Sequence, residues 1–401
     1  MLNRQIGVVI YLSTPGGMTG APRRILTLCA AIQRHGVTPY VVADSTTELY
    51  TEARRLGLQT IALQTQAVLK ERNKQLLRGG LLRKAWIAAN LVLHNLSFFF
   101  AVRRVAPDLL LFRASKTFAF AGVGALMLRR PVVWDVDYET PSAGLVGRLQ
   151  RFALGMSKCA FMQYPGAQDK IFDADTIRAN EKKFSALIPG IRLESLDTYA
   201  ASRSAKDGGS GAVYRILHVG TVCDRKNQLL SLLALIDLRE RYPEIWASRH
   251  VVVSFAGAVH EAEYKEMLDD CISTNRLEGH VEFLGWQDNV PALMASSDLL
   301  VLPSKDEGVP NTIQEAMYIG CPVAVGNAGG MPSVVEHGRS GWVLPVQDPA
   351  PWAELFARLL SDDTNACEVT DCARDFALRF FDDETWARDY AEALARVAHG
   401  E

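Results

Sequence analysis

The sequence predicts an α/β protein built from two doubly wound units in tandem, and three observations carry that reading. Strand-like and helix-like segments alternate through the first half, and the alternation restarts after residue 212. Between the two runs lies a Ser/Gly-rich stretch, 200–212, of linker composition. The charge balance also reverses: residues 1–200 hold 26 Lys and Arg against 14 Asp and Glu, and the remainder 17 against 31. Opposite balances point to two domains with different partners, or to halves that attract one another. The expected division is 1–199, a linker over 200–212, a second domain over 213–380 and a closing segment over 381–401. A chain of 401 residues suits two such domains.

In the first half, Ile6–Leu12 reads as a strand. Apolar residues Ile25, Leu26, Leu28, Cys29 and Ile32 recur with a helical period over 22–35, and Gly36 is a stop signal. A strand over 38–43, a helix over 48–56 ending at Gly57, and strands over 60–63, 109–112 and 132–136 follow. In the second half, strands are expected at Val213–Val219, His250–Ala256, 281–284, Leu299–Leu302 and 322–325. Helices are expected at Gln228–Arg241, Ala262–Thr274, Val290–Ser296 and 312–319, with closing helices at 352–360 and 385–398. Ligands of such sheets bind at the carboxyl ends of the strands.

Composition narrows the function classes. The seven cysteines are scattered singly without metal-ligand spacing, which fits free thiols in a reducing compartment and argues against a disulfide framework or a zinc site. The first apolar run is short and meets Pro15-Gly16-Gly17, as a strand does and a signal peptide does not. The stretch 85–102 is the most apolar, but Asn90, His94, Asn95 and Ser97 interrupt it. With Arg83-Lys84 and Arg103-Arg104 at its ends, it reads as a buried or membrane-surface helix more readily than as a span. The basic first half suits an anionic membrane or an acidic acceptor, and no basic helix interleaved with aromatics marks a nucleic-acid binder. The expected location is the cytoplasm, at most peripheral to the inner face of a membrane.

The densest chemical signal follows strand Leu299–Leu302: Pro303-Ser-Lys-Asp-Glu307-Gly308-Val309-Pro310-Asn311-Thr312-Ile-Gln-Glu315. A helix opening near Asn311 offers backbone N–H groups to phosphate. Glu315 is placed to accept from a ribose diol and Glu307 to meet a sugar hydroxyl. The plainer alternative is a solvated Glu307 and a Glu315 that favours the helix start through its dipole. In the first half, Gly16 and Gly17 sit in a glycine-rich turn between a strand and a helix, and Arg23 and Arg24 could reach an anionic acceptor or remain solvated.

The spacing of Glu307 and Glu315 resembles the E-x7-E motif of retaining glycosyltransferases of family GT4. The similarity continues through Ala316-Met317, Gly320-Cys-Pro-Val323 and Gly329-Gly330-Met-Pro-Ser-Val-Val-Glu336-His-Gly-Arg-Ser-Gly341. Upstream, His218-Val-Gly220-Thr221-Val-Cys-Asp-Arg225-Lys226-Asn resembles the family's loop that clamps the donor phosphates, and Val281-Glu-Phe-Leu-Gly285-Trp its segment beside the base. The resemblance implies the GT-B fold: two Rossmann-like domains facing each other across a cleft, with the C-terminal helix crossing back to the first domain. It implies a nucleoside diphosphate sugar donor held by Gly16, Gly17, Thr221, Arg225, Lys226, Gly308–Thr312 and Glu315, and an acceptor that is a saccharide or a lipid-linked saccharide. Lys226 would contact the diphosphate; Arg225 would assist or serve as a surface charge. No Asp-x-Asp motif flanks the donor site, so no essential metal and no separate cofactor are implied.

Two positions depart from the family pattern. Thr221 stands where many members carry Arg, and a hydroxyl adds no charge. Asp137 stands near where many carry a catalytic-region His; it could accept a sugar hydroxyl, orient the acceptor or take its proton, or simply cap a turn. Tyr138 and Glu139 beside it are acceptor candidates with Arg23 and Arg24. The catalytic expectation is therefore Glu307 with Asp137. A sugar-nucleotide 2-epimerase of the same fold and a nucleotide-binding scaffold with a degenerate site are the competing classes.

Overall fold

The structure, a computed structural model, describes residues 5–13, 20–70, 80–136, 144–204, 213–361 and 364–400. It divides into two units: unit 1 comprises Met1–Ile188 with Asp383–Glu401, and unit 2 comprises Pro189–Asp382.

Unit 1 runs β1 (Ile6–Leu12), α1 (Gly20–Ile32), β2 (Val37–Ala43), α2 (Glu48–Arg55), β3 (Gln59–Ala62), α3 (Leu81–Val102), β4 (Leu109–Arg113), α4 (Lys116–Leu128), β5 (Val132–Asp135), α5 (Gly144–Met156), β6 (Cys159–Met162), α6 (Ala174–Ala179) and β7 (Phe184–Ala186). Its sheet is parallel, in the order β3-β2-β1-β4-β5-β6-β7, and the order reverses direction between β1 and β4. Strand β4, Leu-Leu-Leu-Phe-Arg, is buried at every position because helices cover both faces of a parallel sheet. The last helix, α15 (Asp383–His399), belongs to this unit. It buries Trp386, Tyr390 and Leu394 in one core with Ile25, Cys29 and Ile32 of α1.

Unit 2 runs α7 (Asp197–Ser204), β8 (Val213–Val219), α8 (Gln228–Arg241), α9 (Pro243–Ser248), β9 (His250–Ala256), α10 (Ala262–Thr274), β10 (Val281–Gly285), α11 (Val290–Ser296), β11 (Leu299–Leu302), α12 (Asn311–Ile319), β12 (Val323–Gly326), β13 (Trp342–Leu344), α13 (Ala350–Ser361) and α14 (Thr364–Phe380). The parallel order is β10-β9-β8-β11-β12-β13. The central pair, β8 and β11, register Ile216 against Leu299 and Leu217 against Leu300. Their carboxyl ends therefore open side by side at the point where the winding reverses, the place such sheets reserve for ligands.

The start of unit 2 lies ahead of the boundary expected from composition. Residues 200–204 of the expected linker are the end of α7, and 205–212 lie outside the described residues. Arg203 explains why this piece is ordered on unit 2. Its guanidinium donates to the carbonyls of Gly320 at 2.5 Å, Met294 at 3.2 Å and Ser297, satisfying the orphan acceptors at the ends of α11 and α12. The sequence reading did not place helices α5, α6, α7, α9 and α14, and two further kinds of element escaped it for a physical reason. Strands β6, β7 and β13 are only three or four residues long. Helix α4 is apolar nearly all round, so no 3.6-residue stripe stands out.

Candidate functional site

The first half of the site is the loop after β8. Gly220 ends the strand, and its N–H donates to the Ala256 carbonyl at 2.9 Å. A Cβ on Gly220 would lie 2.9 Å from Cε of Lys226, so the lysine stem runs across the bare glycine. Gly257 is more tightly held: a Cβ there would sit 2.0 Å from the Gly220 carbonyl oxygen, so only glycine lets the two backbones approach. A short 3-10 turn over Asp224–Lys226 then leads to Asn227, in the left-handed region at φ 61. The Asn227 amide donates at 3.0 Å to both the Pro303 and the Val346 carbonyls, tying this loop to the one after β11. Asparagine suits the position because its short side chain tolerates that backbone. The sequence reading passed over Asn227 and Gly257, since neither has a local signal.

The second half is the loop from Pro303 into α12. Gly329 (φ 64) packs so closely that a Cβ would stand 1.9 Å from the Glu307 carbonyl oxygen, and the Gly330 N–H donates to that oxygen at 2.9 Å. Val309 is buried, and Pro310 precedes the first turn of α12 with extended backbone. Gly308, Thr312 and Asn311 lie along the mouth of this turn, Asn311 exposed. A helix start of this kind favours an anion through its dipole and its N–H groups.

The two loops meet at Glu307. Lys226 Nζ lies 2.8 Å from Glu307 Oε1, with both side chains only 14% exposed, and Arg225 reaches the same oxygen. Arg225 also donates to the Asp306 carbonyl at 3.1 Å. Beside them Lys305 Nζ lies 2.5 Å from Asp224 Oδ1, and the Lys305 N–H donates to the Arg225 carbonyl at 2.9 Å. Two cations thus converge on one carboxylate. Glu307 is therefore not the solvated carboxylate of the plainer alternative: it fixes the heads of Arg225 and Lys226, a contact the sequence reading did not include.

Glu315 stands in the second turn of α12. Burial pushes its carboxyl above the ordinary glutamate range, and it makes no hydrogen bond or ion pair among the described residues. A half-buried carboxylate without a protein partner carries a desolvation cost that a ligand hydroxyl can offset. Thr221 is exposed; its carbonyl accepts from Gln228 Nε2 at 3.0 Å and its hydroxyl lies 3.7 Å from Cys223 Sγ.

His218, under Lys226 at the end of β8, is fully buried with Nδ1 3.1 Å from Ser231 Oγ. Burial, reinforced by the Lys226 charge, pushes its pKa down to about 3. The unfolded chain takes up a proton near pH 6.5 that the folded chain refuses, so stability falls as pH drops from about 6.5 toward the folded value. Between about pH 7 and pH 5, urea unfolding should show a loss of about 2 kcal/mol from this group. His218→Asn should flatten that decline, and an unchanged slope would refute the assignment.

Unit 1 carries a separate cavity of about 310 Å³ at the carboxyl ends of β1 and β2, lined by Tyr11, Ser13, Asp44, Thr65, Lys70 and Lys116. Burial alone would raise Asp44, but Lys70 at 2.9 Å and the N–H groups of Thr65 and Thr46 outweigh it and hold the carboxyl well below its usual range. Tyr11 Oη lies 2.8 Å from His94 Nε2. The sequence reading missed this cavity, whose residues come from five separated segments. Arg23, exposed, and Arg24, which donates to Gln163 at 3.3 Å, lie on α1. Gly16, Gly17, Asp137, Tyr138 and Glu139 lie outside the described residues. The strand end before Asp137 is fixed by a buried ion pair, Arg113 to Asp135 at 2.6 Å.

Residues 205–374 match the family model for glycosyl transferases group 1. That segment is similar to group 1 glycosyltransferase domains. It holds Thr221, Arg225, Lys226, Glu307 and Glu315. N-acetyl-alpha-D-glucosaminyl L-malate synthase of Bacillus anthracis is 33% identical over 150 residues, covering 35% of this chain and 39% of the relative. A D-inositol 3-phosphate glycosyltransferase of Salinispora arenicola is 28% identical over 236 residues, covering 56% of this chain and 52% of the relative. The chain thus spans about half or less of the length of the curated relatives it matches. Among solved structures, Anabaena HepE in complex with UDP superposes with a TM-score of 0.74 at 20% identity, over 98% of this chain and 99% of that one. A glycosyltransferase from Rickettsia africae superposes at 0.75 and 14% identity over the full length of both chains. The fold is accordingly GT-B, with two doubly wound α/β units, the second formed by Pro189–Asp382.

Proposed function

We propose that the chain is a retaining glycosyltransferase. It moves a sugar from a nucleoside diphosphate sugar to a saccharide or lipid-linked saccharide acceptor, in cell-surface polysaccharide or glycolipid synthesis on the cytoplasmic side. The observation that carries this reading is the convergence of Lys226 and Arg225 on Glu307 at the mouth of α12, with Glu315 unpartnered a turn and a half further on. Two cations at a helix start oppose its dipole, and the single Glu307 carboxylate balances only one of their charges; a diphosphate supplies the complement. Anabaena HepE, of the same fold, binds UDP. A relative of Erwinia amylovora, 29% identical over 144 residues, is an amylovoran biosynthesis glycosyltransferase.

In this reading the diphosphate lies between Lys226 and the first N–H groups of α12. Glu315 accepts from the ribose hydroxyls. Glu307, anchored by Gly329 and Gly330 through its backbone, orients the donor sugar and holds the two cations in place. As the glycosidic bond breaks, negative charge grows on the departing diphosphate, and Lys226 stabilises it more in the transition state than in the ground state. The departing phosphate takes the acceptor proton on the face it leaves, which retains the anomeric configuration. Asp137 contacts the acceptor, and the chemistry runs without a metal, so a chelator leaves the rate unchanged. The unit 1 cavity, with Lys70 and Lys116 on its wall, receives the acceptor.

A thermal-shift screen of UDP-, GDP-, ADP- and TDP-sugars identifies the donor by mass action. Proton NMR of the product then reads the anomer; an inverted anomer refutes the retaining mechanism, and conversion of donor without acceptor shows an epimerase instead. Glu315→Gln should weaken nucleotide affinity by about ten- to a hundredfold, the value of hydrogen bonds to a charged acceptor. Isothermal titration giving wild-type affinity for that variant would remove Glu315 from the ribose.

A further inference from the structure

We propose that the outer face of helices α3, α4 and α5 in unit 1 is a docking surface for an anionic lipid bilayer. The inference concerns this unit alone and stands independently of the transfer reaction.

Helix α3 is apolar on two sides. One side buries Ile87, His94, Asn95, Phe98 and Val102. On the other side Leu82, Trp86, Ala89, Leu93, Leu96 and Phe100 recur at alternating steps of four and three, one continuous stripe of a helix. That stripe faces outward: Trp86 is 56% exposed, Leu93 55% and Phe100 50%. The neighbouring helices extend it with exposed Val123, Leu126 and Met127 on α4 and Leu145, Val146 and Phe152 on α5. Exposed apolar surface on this scale marks an interaction site.

Length and composition would allow α3 to cross a membrane, but its inner side is fastened to the unit. Asn95 donates to the Ala119 carbonyl at 3.0 Å and accepts from the Val123 and Gly124 N–H groups at 2.9 and 3.2 Å. A Cβ on Gly124 would lie 2.7 Å from the Asn95 carbonyl, so the two helices touch backbone to backbone. His94 holds Tyr11. A span would break these bonds; a helix lying in the interface keeps all of them.

Charge selects the occupant. None of the three helices contains an Asp or Glu. Their cations are Arg83 and Lys84 in the first turn of α3, Arg103 and Arg104 just after its end, Arg129 and Arg130 after α4, and Arg148 and Arg151 on α5; Lys116, at the start of α4, lines the unit 1 cavity. Arg103 lies 4.9 Å over the Phe100 ring, which seats a cation at the edge of the apolar face. Arg129, Arg130 and Lys158 also line an open cavity of about 440 Å³ at the end of α4. A second copy packed on this face, parallel or antiparallel, would bring arginine against arginine or lysine with no carboxylate between them. Anionic headgroups around an apolar interior supply both complements.

The test is flotation of the whole protein with vesicles of phosphatidylcholine alone or mixed with phosphatidylglycerol. At low salt the bound fraction should be about tenfold or more higher on the mixed vesicles, and high salt should release it. The exposed double variant Leu93→Glu/Leu96→Glu should lose flotation while its circular dichroism and melting temperature stay those of the wild type. Leu378→Glu, an exposed apolar residue of unit 2, should float normally. Arg103→Glu/Arg104→Glu should bind about tenfold or more weakly. Equal flotation on both vesicles, no flotation, or wild-type flotation of the Leu93/Leu96 variant would each overturn the proposal. A dimer in sedimentation that this variant dissociates would show that a second copy covers the face instead.

Discussion

Replacing Lys226 by methionine should lower kcat by about 10²- to 10³-fold, the usual loss when one preorganised partner of a developing anion is removed. The side chain is 14% exposed, sits on the bare backbone of Gly220 and ends 2.8 Å from Glu307. Methionine keeps the stem over the glycine, so the substitution removes charge with little change in packing. The loss should fall mainly on kcat, because the diphosphate gains charge as the bond to the sugar breaks. Glu307→Ala provides the complementary measurement: it frees both cation heads and removes the sugar contact, so turnover should drop more than nucleotide affinity. Steady-state kinetics at saturating donor decide the matter. A Lys226→Met enzyme with wild-type kcat would show that the amine has no part in leaving-group departure.

Gly329→Ala should be the most damaging small substitution in unit 2. Its backbone sits at φ 64, where an L-residue costs about 1–2 kcal/mol. The added methyl would also stand 1.9 Å from the Glu307 carbonyl oxygen, which must move and give up its bond from the Gly330 N–H. Displacing Glu307 releases the carboxylate that holds Arg225 and Lys226, so activity should fall together with stability. Gly338 supplies the control. Its φ is 76, but a Cβ there meets nothing within 4 Å, so Gly338→Ala carries the backbone cost alone. Thermal melts of both variants, with kinetics on the folded fraction, separate strain from collision. Equal melting temperatures would mean that the loop adapts and that Gly329 is not the support of Glu307.

Both variants act on a cluster that the sequence showed only in pieces. Glu307 and Glu315 could be singled out because they lie in a local pattern, a strand followed by a turn and a helix start, and Lys226 because its loop resembles the family's phosphate clamp. Their meeting could not be read, since Arg225 and Glu307 stand 82 residues apart. The pairing depends on the adjacency of β8 and β11, which is a property of strand order. Asn227 and Gly257 carry no local mark either, because what demands them is another segment's backbone.

The sequence by itself determined the α/β class, the two runs of parallel strands and the strand ends on which the candidate donor residues sit. Those follow from periodicity and punctuation, which act over a few residues. Only the tertiary structure decided that residues 200–204 finish a helix on unit 2, that Trp386, Tyr390 and Leu394 of the last helix pack on α1, and that α3 turns an apolar stripe outward. Each of these turns on which surfaces meet, and a stretch of apolar residues reads the same whether its neighbour is a sheet, another helix or solvent.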